Sequence, residues 1–113
     1  IGICLGFQQI LSAEGGNIIQ QKKIYHGYQS VIEVLKTSRL FRSNSTIYGG
    51  RYHSLKLQEP FKSATIDITM RCKKTNVAMA LEDKTNHIYG FQFHPESFLT
   101  NNGKHLIQKI LSA

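Results

Sequence analysis

The chain has 113 residues and a net charge of +7, from 14 basic and 7 acidic side chains. That length suits one domain with a core of ordinary size, and a hydrophobic content of 41% excludes a disordered chain. No apolar run approaches a membrane span, and no signal peptide is visible. The basic residues lie in scattered positions such as Lys22-Lys23, Arg39, Arg42 and Lys73-Lys74. We read them as a solvated surface rather than a nucleic-acid interface. Cys4 and Cys72 lie far apart without metal-ligand spacing, which points to a reduced, cytoplasmic setting. The chain opens on Ile1, inside what reads as a buried strand, so we expect it to be part of a longer product.

Ile1 to Gly6 is an apolar run with one cysteine between two glycines. Phe7 to Glu14 reads as a helix that Gly15-Gly16 stops. Strand, sharp turn and helix, with Gly2, Cys4 and Gly6 in G-x-nucleophile-x-G spacing, is the layout of a nucleophile elbow carrying a thiol. We expect both glycines to relieve crowding at the turn. We also expect the N–H groups of the following helix to favour the Cys4 thiolate, the attacking form. The competing reading of Cys4 is a small buried hydrophobe; catalysis requires a base and an orienting acid elsewhere.

Asn17 to Ile24 has room for a short strand, and Tyr25-His26-Gly27-Tyr28 reads as a turn. Ser30 to Leu35 reads as a strand, and Ser38 to Ser45 as a helical turn with Leu40 and Phe41 inward. Thr46 to Leu57 is strand-like but broken by Gly49-Gly50. Ala64 to Cys72 is the clearest strand, with Ala64, Ile66, Ile68, Met70 and Cys72 expected on one dry face. Val77 to Leu81 is apolar on both faces, as a central strand would be. Asp83 to Asn86 is a turn cluster that predicts a hairpin with His87 to Phe93. Leu106, Ile107, Ile110 and Leu111 recur with helical spacing, predicting a C-terminal amphipathic helix from about Asn102.

A second chemical signal follows the Tyr89 to Phe93 strand. Pro95 biases His94 towards extended backbone, which predicts that His94 and Glu96 project to one side. An imidazole oriented by a carboxylate is what a cysteine nucleophile needs. The competing reading of His94 is a surface histidine beside a rigid proline.

Gly2-Ile3-Cys4-Leu5-Gly6-Phe7-Gln8 and Phe91-Gln92-Phe93-His94-Pro95-Glu96-Ser97 resemble the two signature segments of class I glutamine amidotransferases. Arg51-Tyr52-His53-Ser54-Leu55, between them, resembles a segment of the glutaminase subunits of anthranilate synthase and aminodeoxychorismate synthase. His26-Gly27, Phe98-Leu99-Thr100 and Gly103 fit the same branch, and the resemblance spans residues 1 to 113.

The resemblance implies an α/β fold: the C-terminal part of a doubly wound, flavodoxin-like amidotransferase domain. It implies glutamine hydrolysis, with ammonia passed to a chorismate-using synthase subunit. It gives Cys4 the role of nucleophile, His94 of general acid/base, Glu96 of its orienting partner, and the Leu5 N–H of an oxyanion donor. Gln8, Ser54 and Leu55 would bind the substrate L-glutamine, the last two partly through backbone. The family's glutaminase half needs no cofactor or metal. Two departures stand out. Phe7 occupies a position where the family commonly has histidine. The family's N-terminal strands and Gly-Pro-Gly loop, which completes the oxyanion hole, have no counterpart among these residues. We therefore expect weak turnover from this stretch alone, and the alternative is a non-catalytic remnant or interaction fragment.

Overall fold

A computed structural model describes all 113 residues. The elements run β1 (Gly2–Ile3), α1 (Leu5–Ala13), β2 (Ile18–Gln20), β3 (Tyr28–Val34), β4 (Thr46–Arg51), β5 (Leu55–Leu57), β6 (Asp67–Cys72), β7 (Ala78–Asp83), β8 (Ile88–Phe91) and α2 (Gly103–Leu111). Six strands form one sheet in the order β1-β8-β7-β6-β3-β4, and β2 pairs with β5 in a small second sheet. The β1–β8 pair is parallel, and the pairs that carry the large sheet from β8 to β4 are antiparallel.

The large sheet curls strongly. β4 is an edge strand four places from β8, yet Gly50 forms an antiparallel bridge with His94, three residues past β8. The His94 N–H donates to the Gly50 carbonyl at 2.9 Å. The curl thus carries the end of β4 to the chain that leaves β8.

Two apolar clusters lie on the two faces of this sheet. One gathers Ile32, Val34, Met70, Cys72, Met79, Phe91 and Phe93 and is covered by Leu106 and Ile110 of α2. The other joins Phe7 and Leu11 of α1 to Leu57, Ile66, Ala78 and Leu81. Each helix therefore buries one stripe and leaves the rest to solvent, as amphipathic spacing dictates. Removing a fully buried ring such as Phe93 would cost about 3–5 kcal/mol.

Three expectations change. Gly49 and Gly50 lie inside β4 and do not break it. A Cβ on Gly49 would stand 2.5 Å from Ile32 Cδ1 and 3.0 Å from the Phe93 ring, so glycine there permits close packing. The break falls at Tyr52–Ser54, where the chain leaves one sheet for the other. Residues 38–45 form bends and a turn rather than a helix, although Leu40 and Phe41 do pack inward on the core. Ala64 to Cys72 does not keep one dry face: Ala64 is exposed, and register shifts between Ile68, Met70 and Arg71 mark a bulge. Ile66 and Ile68 pack with α1, whereas Met70 and Cys72 pack in the other cluster. One extra residue reverses the side-chain parity of a strand. Thr69, skipped between the Ile68 and Met70 pairings, has its hydroxyl buried without a partner.

The β7–β8 hairpin forms as expected, closed by Asn86 donating to both carboxylate oxygens of Asp83. β7 is buried along its whole length. The C-terminal helix starts at Gly103 with Asn102 as its N-cap.

Candidate active site

Cys4 occupies the turn between β1 and α1, with φ at 54°. A left-handed backbone on a non-glycine residue costs about 1–3 kcal/mol and persists only where its surroundings enforce it. The Cys4 N–H donates to the Phe91 carbonyl at 2.8 Å, and its carbonyl accepts the Gln8 N–H at 3.1 Å. The two flanking glycines are not equivalent. A Cβ on Gly2 would lie 2.7 Å from the Gly6 backbone and the Ile10 side chain, whereas one on Gly6 would meet open space. Gly2 is therefore needed for packing of α1 on β1, and the expected steric duty of Gly6 is corrected.

The sulfur sits half-buried. Burial pushes its pKa up and the Glu96 charge adds to that, while the Leu5 N–H and the Gln92 amide pull the other way. The balance is upward: the Leu5 N–H at the helix start favours the thiolate in the expected direction, but desolvation outweighs it. Gln92 Nε2 lies 3.7 Å from Cys4 Sγ, and the Tyr52 carbonyl 3.9 Å from it.

His94 Nδ1 meets Glu96 Oε2 at 2.7 Å. The route to that contact differs from the extended segment expected: β8 ends at Phe91, and Pro95 and Glu96 lie in a turn closed by Ser97 N–H on the His94 carbonyl. Thr100 holds this turn to β4. Its hydroxyl donates to the His94 carbonyl at 2.6 Å and accepts the Gly50 N–H at 2.8 Å. Nδ1 being engaged by Glu96, the ring's Nε2 is the nitrogen left for proton transfer.

Tyr52 touches both the cysteine and the histidine. Its carbonyl faces Cys4, its ring meets His94 edge-on at 5.2 Å, and its hydroxyl bonds Ser97 Oγ at 2.8 Å. Cys4 and His94 make no direct hydrogen bond. Tyr52, His94, Glu96, Ser97 and Phe98 line an open concavity of about 660 Å³.

Gln8 is buried, and its Nε2 donates to Gln92 Oε1 at 3.0 Å and to the Leu55 carbonyl at 3.4 Å. Leu55 opens β5, Ser54 precedes it half-buried, and Leu5 lies 62% exposed beside the sulfur. Gln8, Leu55, Gln92 and Cys4 thus form one connected patch, and Tyr52 touches both its Cys4 end and His94. Sequence reasoning passed over Gln92 and Tyr52. Gln92 stands two residues before His94, a spacing that could have placed it on the same side; Tyr52 lay inside the Arg51–Leu55 motif. No group of three or more His, Cys, Asp or Glu is placed to hold a metal ion. No helix is long and apolar enough to cross a membrane.

The structure thus holds a strained cysteine at a strand-to-helix turn and a carboxylate-bound histidine where the chain leaves β8. The chain belongs to the class-I glutamine amidotransferase family, whose model matches residues 1–113. It is 38% identical to anthranilate synthase component 2 of Methanocaldococcus jannaschii over 90% of this chain and 51% of that protein. It is 33% identical to the component 2 of Lactococcus lactis over 99% of this chain and 57% of that one. The chain therefore spans little more than half the length of these relatives. Among solved structures, a Thermoplasma acidophilum protein assigned provisionally to GMP synthase superposes with a TM-score of 0.83 at 22% identity, over 98% of this chain and 54% of its own. A glutamine amidotransferase from Thermotoga maritima gives a TM-score of 0.68 at 20% identity, over 84% of this chain and 39% of that one. These likenesses establish the α/β amidotransferase fold.

Proposed function

We propose that this protein hydrolyses glutamine and delivers the ammonia to a chorismate-using synthase subunit, as the names of its anthranilate synthase relatives suggest. The observation that carries the reading is that Tyr52 touches both the strained Cys4 turn and a His94 already bonded to Glu96. Because the Cys4 thiol is raised, it rests protonated and needs a base at the moment of attack. His94 takes the thiol proton as Sγ bonds to the carboxamide carbon of glutamine. The Leu5 N–H stabilises the oxyanion that forms. His94 then returns the proton to the leaving nitrogen, the C–N bond breaks and ammonia departs. Water, deprotonated by His94, cleaves the γ-glutamyl thioester to glutamate and restores the thiol.

Gln8, Ser54 and Leu55 line the glutamine side of this reaction, and no cofactor or metal takes part. A cytoplasmic setting suits a free reactive thiol. Leu5 supplies one oxyanion donor; lack of a second costs roughly 3 kcal/mol of barrier. We therefore expect slow turnover from the 113 residues alone. The experiment is glutamate release by the wild-type chain and by Cys4→Ser, each with and without an anthranilate synthase component I. Release that requires Cys4 supports the reading. A chain that binds the synthase subunit while both forms release nothing would instead be a docking module.

A further inference from the structure

Arg51 carries a positive charge into a place without a carboxylate. It ends β4 and is 0% exposed. Its Nε donates to His53 Nε2 at 2.9 Å, and its Nη1 reaches Ser30 Oγ and Cys72 Sγ at 3.4 Å each. Its Cζ lies 3.5 Å from the centroid of the Tyr25 ring, and Nη2 has no partner. Taking such a charge out of water costs several kcal/mol. An apolar side chain of similar volume would fill the same space at less cost, so the guanidinium needs a further reason.

The reason lies in His53. A guanidinium only donates hydrogen bonds and stays charged. His53 Nε2 must therefore accept, which leaves the ring proton on Nδ1. Nδ1 lies 2.7 Å from the Leu55 carbonyl and donates to it. The other tautomer would press two N–H groups together 2.9 Å apart. The imidazolium fails for the same reason; burial first, and the Arg51 charge with it, hold the His53 pKa down to about 4. Gln21 Nε2 also lies 3.0 Å from Nδ1, but facing an N–H it serves the His53 carbonyl, likewise at 3.0 Å. The Gln21 N–H then takes the Ser54 carbonyl at 2.9 Å.

We propose that Arg51 is a positioning residue: by fixing His53 as its Nδ1–H tautomer it pins the Leu55 carbonyl and holds the Tyr52–Leu55 segment against Cys4 and Gln8. The proposal rests on the reading of that segment as a wall of the glutamine site. It also refines the wall. The Leu55 carbonyl already accepts from His53 and Gln8, so both its lone pairs are engaged within the protein. A ligand meets other atoms of the segment.

Three readouts test this on the full chain. Long-range proton–nitrogen correlations in the ¹⁵N-labelled wild type report the tautomer directly, and Nδ1–H is expected. In Arg51→Gln the Nε2–H form should appear, and exchange of the Gln21 amide should quicken about tenfold, the loss of one net hydrogen bond. Should Arg51→Gln not fold, a pair at His53 decides. Asparagine keeps a donor near the Nδ1 position, whereas glutamine keeps an acceptor near Nε2 only. His53→Asn should preserve Gln21 protection, and His53→Gln should lose it. The half-saturating concentration of a glutamine-like haloketone that alkylates Cys4 should rise about tenfold in the variants that lose protection. Simple iodoacetamide should react as before. An Nε2–H tautomer in the wild type, or equal Gln21 protection in both His53 variants, overturns the proposal. A haloketone no better than iodoacetamide on the wild type would count against the glutamine reading alone, since tautomer and exchange still decide the role of Arg51.

Discussion

Cys4 and Cys72 are both free thiols, and their surroundings tune them in opposite directions. Cys4 is half-buried at the strained turn, and burial together with the Glu96 charge raises its pKa. Cys72 is 3% exposed. Burial pushes it up too, but hydrogen bonds from Thr75 and the Lys74 backbone, with the Arg51 guanidinium, bring it below the ordinary thiol value. The more acidic sulfur is thus the one that nothing outside can reach. Acidity and reactivity separate here because a thiolate needs access as well as charge. A resting thiol suits Cys4 when a base stands near, since attack and proton transfer then occur together.

The largest effect should come from exchanging the two sites' fates. Cys4→Ser should lower glutamine hydrolysis about 10⁴-fold or to background, the scale on which catalytic nucleophiles matter. Cys72→Ser keeps an acceptor for Arg51 and should retain measurable turnover. Equal losses would erase the distinction between a reactive and a structural sulfur.

The buried side of the comparison predicts a stability slope. His53 has its pKa lowered from 6.5 to about 4 in the folded chain. Between those values the unfolded chain binds the proton and the folded one does not. Stability should therefore fall as pH drops from about 6.5 to about 4, by roughly 3 kcal/mol in all, and be unaffected by this group above pH 6.5. Urea midpoints measured across that range check it, and His53→Asn should flatten the curve. A wild-type curve already flat there would remove the buried neutral imidazole from the account.

Accessibility gives the next effect. Iodoacetamide near pH 7.5 should modify Cys4 at least about tenfold faster than Cys72 in the folded chain, the protection that a closed core provides. In denaturing urea the rates should converge. Peptide mapping of the alkylated sites would show it, and equal folded-state rates would mean that Cys72 opens readily.

The smallest effect concerns Gln92, whose amide touches both Gln8 and the Cys4 sulfur. Gln92→Leu should move the pH midpoint of Cys4 alkylation upward and slow the reaction about two- to threefold at neutral pH. A downward move would mean that the amide opposes the thiolate.

Much of this was legible in the chain because local rules sufficed. The β7–β8 hairpin followed from an apolar run and the Asp83–Asn86 turn, and α2 from the spacing of Leu106, Ile107 and Ile110. The elbow at Cys4 and the His94–Glu96 contact could be read from short motifs, since both depend on neighbours within a few residues. The bulge in β6 could not. Its side-chain pattern alternates cleanly, and only pairing with β7 shows where the parity reverses. The continuity of β4 through Gly49 was equally hidden, because the reason for glycine is the Ile32 and Phe93 side chains packed against it.

By itself, then, the sequence determined the chemical parts: a cysteine between glycines, a histidine tied to a nearby glutamate, and two amphipathic helices. Only the tertiary structure decided how those parts meet. The curl that joins Gly50 to His94 brings Tyr52 against both Cys4 and His94, and burial decides that Cys4 rests as a thiol while His53 stays neutral. The physical reason is range. Helix and turn preferences act over a few residues, whereas desolvation and sheet closure depend on residues dozens of positions apart brought into contact.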